Sequence, residues 1–111
     1  MTKENEMQQQ LSALRDQINA LDTQIVPLLE KRLAVAEQIA QVKHAAQLSL
    51  TNRGREQIIL DKLSKSVTDP VHARYLRELY QDIFLISKQY QAQVIKGLQD
   101  QDLKLESPKV H

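Results

Sequence analysis

The stretch LSALRDQINALDTQIVPLLEKRLAVAEQIAQVK, residues Leu11–Lys43, decides the fold. Its apolar residues Leu11, Leu14, Ile18, Leu21, Ile25, Leu28, Val35, Ile39 and Val42 recur in steps of three and four, the period that gathers side chains on one face of an α-helix. Arg32 falls where that step calls for another leucine. Taking a guanidinium out of water costs several kcal/mol unless an anion or a hydrogen-bond partner meets it. Lys43 follows three turns later on nearly the same face, at a rise of roughly 16 Å. Two cations therefore point toward one interior, and they hold either a ligand or internal carboxylates.

With its polar lead-in, this helix is predicted over about residues 6–46, or roughly 60 Å. A compact chain of 111 residues has a radius of gyration near ~13 Å, so such a helix needs a second chain to cover it. Pro27 stands in the way, since an interior proline costs about 3 kcal/mol and removes a hydrogen bond. Its flanks, TQIV and LLEK, hold no turn-forming cluster, and the seam keeps phase across it. A kink is expected there and not a turn.

Beyond the seam, Gln47–Asn52 breaks the pattern, and Thr51 or Asn52 is placed to cap a second helix over Arg53–Lys65 that buries Ile58, Ile59 and Leu63. Asp69 followed by Pro70 marks the start of a third helix, as a cap with proline at the first helical position. That helix is expected to stop near Gly97, leaving residues 97–111 as a polar, disordered tail behind one helical domain over 1–96. Two glycines, three prolines and 4% aromatic residues favour long helices over strands. The expected class is all-α, with three helices per chain, one very long, in an intertwined antiparallel homodimer that forms a helical bundle.

Composition removes several functions. Fifteen Lys and Arg against fourteen Asp and Glu leave a net charge of +1, too little for a field that would hold nucleic acid or an anionic membrane. Without cysteine there is no thiolate nucleophile and no disulfide. No apolar run approaches the ~18 residues of a membrane span, and the chain is read as soluble and cytoplasmic. His44, His72 and His111 stand at no metal-ligand or triad spacing, so neither covalent nor metal catalysis is expected.

The remaining polar residues have plain accounts. Arg15 flanks the seam as a solvated arginine would. It lies about 25 Å from Arg32 along one helix, too far to share a small molecule unless an antiparallel partner brings it back. Arg55 and Glu56 open the second helix, where an acidic residue suits the helix dipole, and Gly54 permits close approach of the backbone. Ser87 and Gln91 share a face with Tyr80 and Phe84 and are equally compatible with surface.

As an ordered set, LRDQINALD, LLEKRLAVAEQIAQVK, NRGREQIIL and ISKQYQ resemble the all-helical chorismate mutases, from about Leu11 to Gln93. The resemblance implies an intertwined dimer with two equivalent sites and the Claisen rearrangement of chorismate to prephenate, with no cofactor and no metal. By position it implies that Arg15 from the partner chain and Arg32 each grip a substrate carboxylate. Lys43 and Gln91 would hydrogen-bond the breaking ether oxygen, and Glu56 would accept from the ring hydroxyl. Arg55 and Ser87 would hold the ring carboxylate. Asn52 stands where a family member carries aspartate, which keeps an acceptor and loses a charge; Pro27 and Gly54 also depart. Isochorismate pyruvate lyase and 4-amino-4-deoxychorismate mutase are alternatives, although Glu56 favours the mutase because the lyase subgroup is apolar there. A non-catalytic dimerisation module, in which Glu30, Glu37 or Glu56 satisfies the buried cations, is the reading from another class.

Overall fold

The computed structural model describes residues 2–106. It is all-α, with α1 over Lys3–Ala45, α2 over Arg53–Ser66 and α3 over Pro70–Glu106, and no strand among the described residues. The chain divides into two compact units, Met1–Ala34 and Val35–His111.

The first unit is α1 alone. No turn interrupts it at Pro27, as the unbroken apolar phase predicts. Its seam is uncovered by the chain itself: Leu14 is 56% exposed and Ile18 57%, with Leu11, Leu21, Ile25 and Leu28 similarly open. Among the described residues of this unit only Arg32 is half-buried; the rest are exposed. A contiguous exposed apolar stripe of this length goes beyond the single scattered apolar residues of an ordinary protein surface.

The second unit holds the end of α1 together with α2 and α3. α1 closes in a Schellman motif: the Leu48 amide donates to the Lys43 carbonyl at 2.8 Å and the Gln47 amide to the His44 carbonyl at 3.2 Å. This geometry needs a left-handed residue, and Gln47 supplies it at φ 55°, where glycine is usual. Asn52 then caps α2, its Oδ1 accepting from the Arg55 amide at 3.0 Å. Asp69 caps α3 through Oδ1 and the Val71 amide at 2.9 Å, with Pro70 in the first turn.

Helix α2 packs on α3 around Leu60 and Phe84, both 6% exposed, with Tyr80 edge-on to Phe84 at 6.0 Å between ring centres. Arg77 of α3 clamps the pair, donating to the Leu60 carbonyl at 3.3 Å and to the Ser64 hydroxyl at 2.7 Å. Two sequence expectations fail here. The residue buried on α2 is Leu60, while Ile58 is 49% exposed and Ile59 and Leu63 are half-buried. The helix is rotated from the expected phase because a three-residue apolar cluster does not define a face over fourteen residues.

Nor does α3 stop at Gly97. It continues to Glu106, so residues 97–106 are helical and not a disordered tail; residues 107–111 lie outside the described region. A glycine ends a helix by turning left-handed, and Gly97 does not, since no glycine has positive φ. Kept helical, it costs only about 1 kcal/mol. Tertiary contact supports the extension, as Asp102 Oδ2 meets His44 Nε2 at 2.8 Å.

The strained cap gives a direct test. Gln47→Gly is expected to stabilise the fold by up to about 1 kcal/mol, read as a higher urea midpoint at unchanged slope. A lower midpoint would refute the left-handed assignment.

Candidate active site

The site grows from two buried polar residues on α3. Ser87 and Gln91, one turn apart, are 8% and 7% exposed, so they are interior groups and not the surface residues that their types would also allow. Gln91 Nε2 donates to Ser87 Oγ at 3.0 Å. Gln91 Oε1 is buried with no hydrogen-bond partner among the described residues. An unpaired buried acceptor costs about 1–3 kcal/mol, so this amide has hydrogen-bonding capacity left over. Rotating the amide by half a turn would let Oε1 accept from the Ser87 hydroxyl and release both amide N–H donors toward a ligand acceptor.

Three further polar contacts lie in the second unit. Lys88 Nζ lies 3.4 Å from Glu56 Oε2, joining α3 to the first turn of α2, with side chains 30% and 25% exposed. Lys43, in the last turn of α1, donates from Nζ to the Leu50 carbonyl at 3.1 Å, in partly buried surroundings. Its partner is a neutral dipole, so the ammonium keeps its full charge for another acceptor. Tyr90 donates to Glu37 Oε2 at 3.2 Å, tying α3 to α1. Desolvation, the Glu37 charge and this hydrogen bond all favour the neutral phenol and raise the Tyr90 pKa above its ordinary 10.0.

The remaining candidates fall as follows. Asn52 is exposed and spends its side-chain oxygen on the α2 cap, leaving its amide nitrogen. Arg55 is exposed on the first turn of α2. Arg15 is exposed and Arg32 half-buried, both in the first unit. The second unit thus draws Glu56 to the Ser87, Lys88 and Gln91 turn of α3, and fixes Lys43 to the loop that precedes α2.

Lys88 and Tyr90 escaped the sequence reading. A signal existed for Lys88: it lies four residues after Phe84 and three before Gln91, at the edge of the buried stripe of α3. Tyr90 carries no comparable signal, because its partner is 53 residues away.

The model of the chorismate mutase type II family matches residues 14–92. This chain belongs to that family. No curated protein and no solved structure matches it significantly. Within this chorismate mutase type II chain the matched span opens one residue before Arg15 and closes one after Gln91, so it contains every candidate named from sequence. The end of α3 that carries Asp102 lies beyond it. No helix among the described residues is long and apolar enough to cross a membrane.

The Tyr90 pair has a pH signature. A folded pKa above the unfolded value means that its contribution to stability is complete below the ordinary tyrosine pKa and is lost as pH rises through the folded one. Tyrosinate absorbance should show one group titrating late in wild type, and Glu37→Gln should shift it back toward 10.0. An unchanged titration in that variant would discount Glu37 as a cause.

Proposed function

We propose that this protein is a chorismate mutase acting on chorismate by conformer selection and electrostatic stabilisation of the ether oxygen. The observation that carries the reading is the state of the polar interior. Lys43 rests on a neutral carbonyl, while two of the three carboxylates that a self-satisfied scaffold would use, Glu37 and Glu56 but not Glu30, are engaged by Tyr90 and Lys88. The family match supports the same conclusion.

The rearrangement is concerted and needs neither nucleophile nor proton transfer, which suits residues that offer donors and no free base. Arg32 of one chain and Arg15 of a second copy grip the two carboxylates as bidentate forks and hold the folded diaxial conformer. Arg55 and Ser87 steady the ring carboxylate. Glu56 accepts from the ring hydroxyl, with Asn52 beside it in the same recognition. Lys43 and Gln91 donate to the ether oxygen, where negative charge grows as the C–O bond breaks. An acceleration on the order of a millionfold corresponds to ~8 kcal/mol. A charged donor at the oxygen supplies roughly 3 to 4 kcal/mol, and conformer selection supplies much of the rest.

The second copy answers the open stripe of the first unit, whose apolar residues a dimer interface would bury. An isologous pair with Arg15 crossing to the partner's site makes two equivalent active sites.

Separate incubation with chorismate and isochorismate tests the assignment: prephenate from the first is expected, and salicylate from the second would install the lyase reading instead. Neither product, with no rise in melting temperature on adding a dicarboxylate, would leave a dimerisation module. The shared site has its own test. Arg15→Ala and Lys43→Ala should each lose at least a hundredfold in turnover, about 2.7 kcal/mol. Subunits of the two variants, mixed and reassociated, should recover about a quarter of wild-type activity, since half of the pairs are mixed and each mixed pair has one intact site. No recovery would place Arg15 in its own chain's site or outside any site.

A further inference from the structure

Lys88 has no role in the reading above, yet it lies in the same turn of α3 as Ser87 and Gln91, with its ammonium 3.4 Å from the Glu56 carboxylate. We infer that Lys88 is a positioning residue for the mutase reaction, acting through Glu56; this rests on the proposed activity.

The argument is electrostatic. Glu56 is the one acidic member of a set of residues that would receive a dianion, and a carboxylate next to two others opposes binding. Glu56 is also 25% exposed, so water screens it only in part. Lys88, similarly shielded, neutralises it from the far helix across 32 residues of chain and fixes the carboxylate through Oε2. Oε1 is then left to accept from the ring hydroxyl. Lysine suits this task as a compact charge on a flexible stem that needs no bidentate geometry.

The mechanism dictates which kinetic constant responds. Substrate and transition state carry the same two carboxylates and the same hydroxyl, so compensation of the Glu56 charge benefits both equally and appears in KM. Lys43, by contrast, meets charge that develops only as the bond breaks, and its loss appears in kcat. The two lysines are thereby separable.

The test is a cycle of Lys88→Met and Lys88→Arg, each made in the wild-type protein and in Glu56→Gln, with circular dichroism and melting temperature confirming that every variant is folded. Lys88→Met is expected to raise KM for chorismate about tenfold with kcat within about threefold of wild type, and Lys88→Arg to restore KM. With Gln at position 56, Lys88→Met should change KM by less than about twofold. A tenfold rise regardless of residue 56 would make Lys88 a direct substrate contact, and an unchanged KM would reduce the pair to a structural bridge; either overturns the inference. A fall in kcat at constant KM overturns it too. Wild-type protein that turns over chorismate while ignoring Lys88 sinks this inference alone, whereas wild-type protein without turnover removes the mutase reading and this with it.

Discussion

A polar group withdrawn from water has to be met by another, and in this chain the way the partners are distributed orders the rest of the second unit. Ser87 and Gln91 are buried on α3 within reach of each other, yet they satisfy only part of their own hydrogen-bonding capacity. Elsewhere in the unit polar groups are answered from a different helix or loop: Lys88 by Glu56, the Tyr90 hydroxyl by Glu37 and Lys43 by the Leu50 carbonyl. The Lys88–Glu56 and Tyr90–Glu37 bonds join α3 to α2 and to the end of α1, while Lys43 ties that end to the following loop. Few apolar side chains are buried here, so polar contacts carry an unusual share of the register between helices.

Such an interior is a poor design for stability alone. Replacing buried ion pairs by well-packed apolar residues is often neutral or favourable, so the partly buried Lys88–Glu56 pair is weak evidence of a stabilising role. The chemistry that fits is one that needs grips and donors without a base. In the reaction proposed above, guanidinium groups would select a conformer, an ammonium and an amide would face an oxygen that gains charge, and no proton would have to move. The arrangement therefore has little use for histidine, which accords with His44 serving to tie the end of α3 to the end of α1.

The local determinants read cleanly because each is decided within a few residues. Asn52 caps α2 and Asp69 with Pro70 opens α3, since a cap is a bond between neighbours. The uninterrupted course of α1 through Pro27 follows from seam phase on both sides. Gly97 misled for the complementary reason: its cost inside a helix is small, and the contact between Asp102 and His44 that supports the following turns spans 58 residues. The rotation of α2 that buries Leu60 in place of Ile58 is of the same kind, being set by Phe84, Arg77 and Ser64 on the packed surface.

By itself, then, the sequence determined the helical class, the starts of α2 and α3, and the very long α1 with its apolar stripe. These rest on periodicity and nearest neighbours, which a linear chain carries in full, whereas Arg15, Arg32, Lys43, Asn52, Arg55, Glu56, Ser87 and Gln91 are named as a set by the family resemblance. Only the tertiary structure decided that Ser87 and Gln91 are interior, that Lys88 faces Glu56, that Glu37 belongs to Tyr90 and that α3 continues to Glu106. Those outcomes depend on which faces meet, and desolvation, which makes each pairing matter, exists only once the helices have closed on one another.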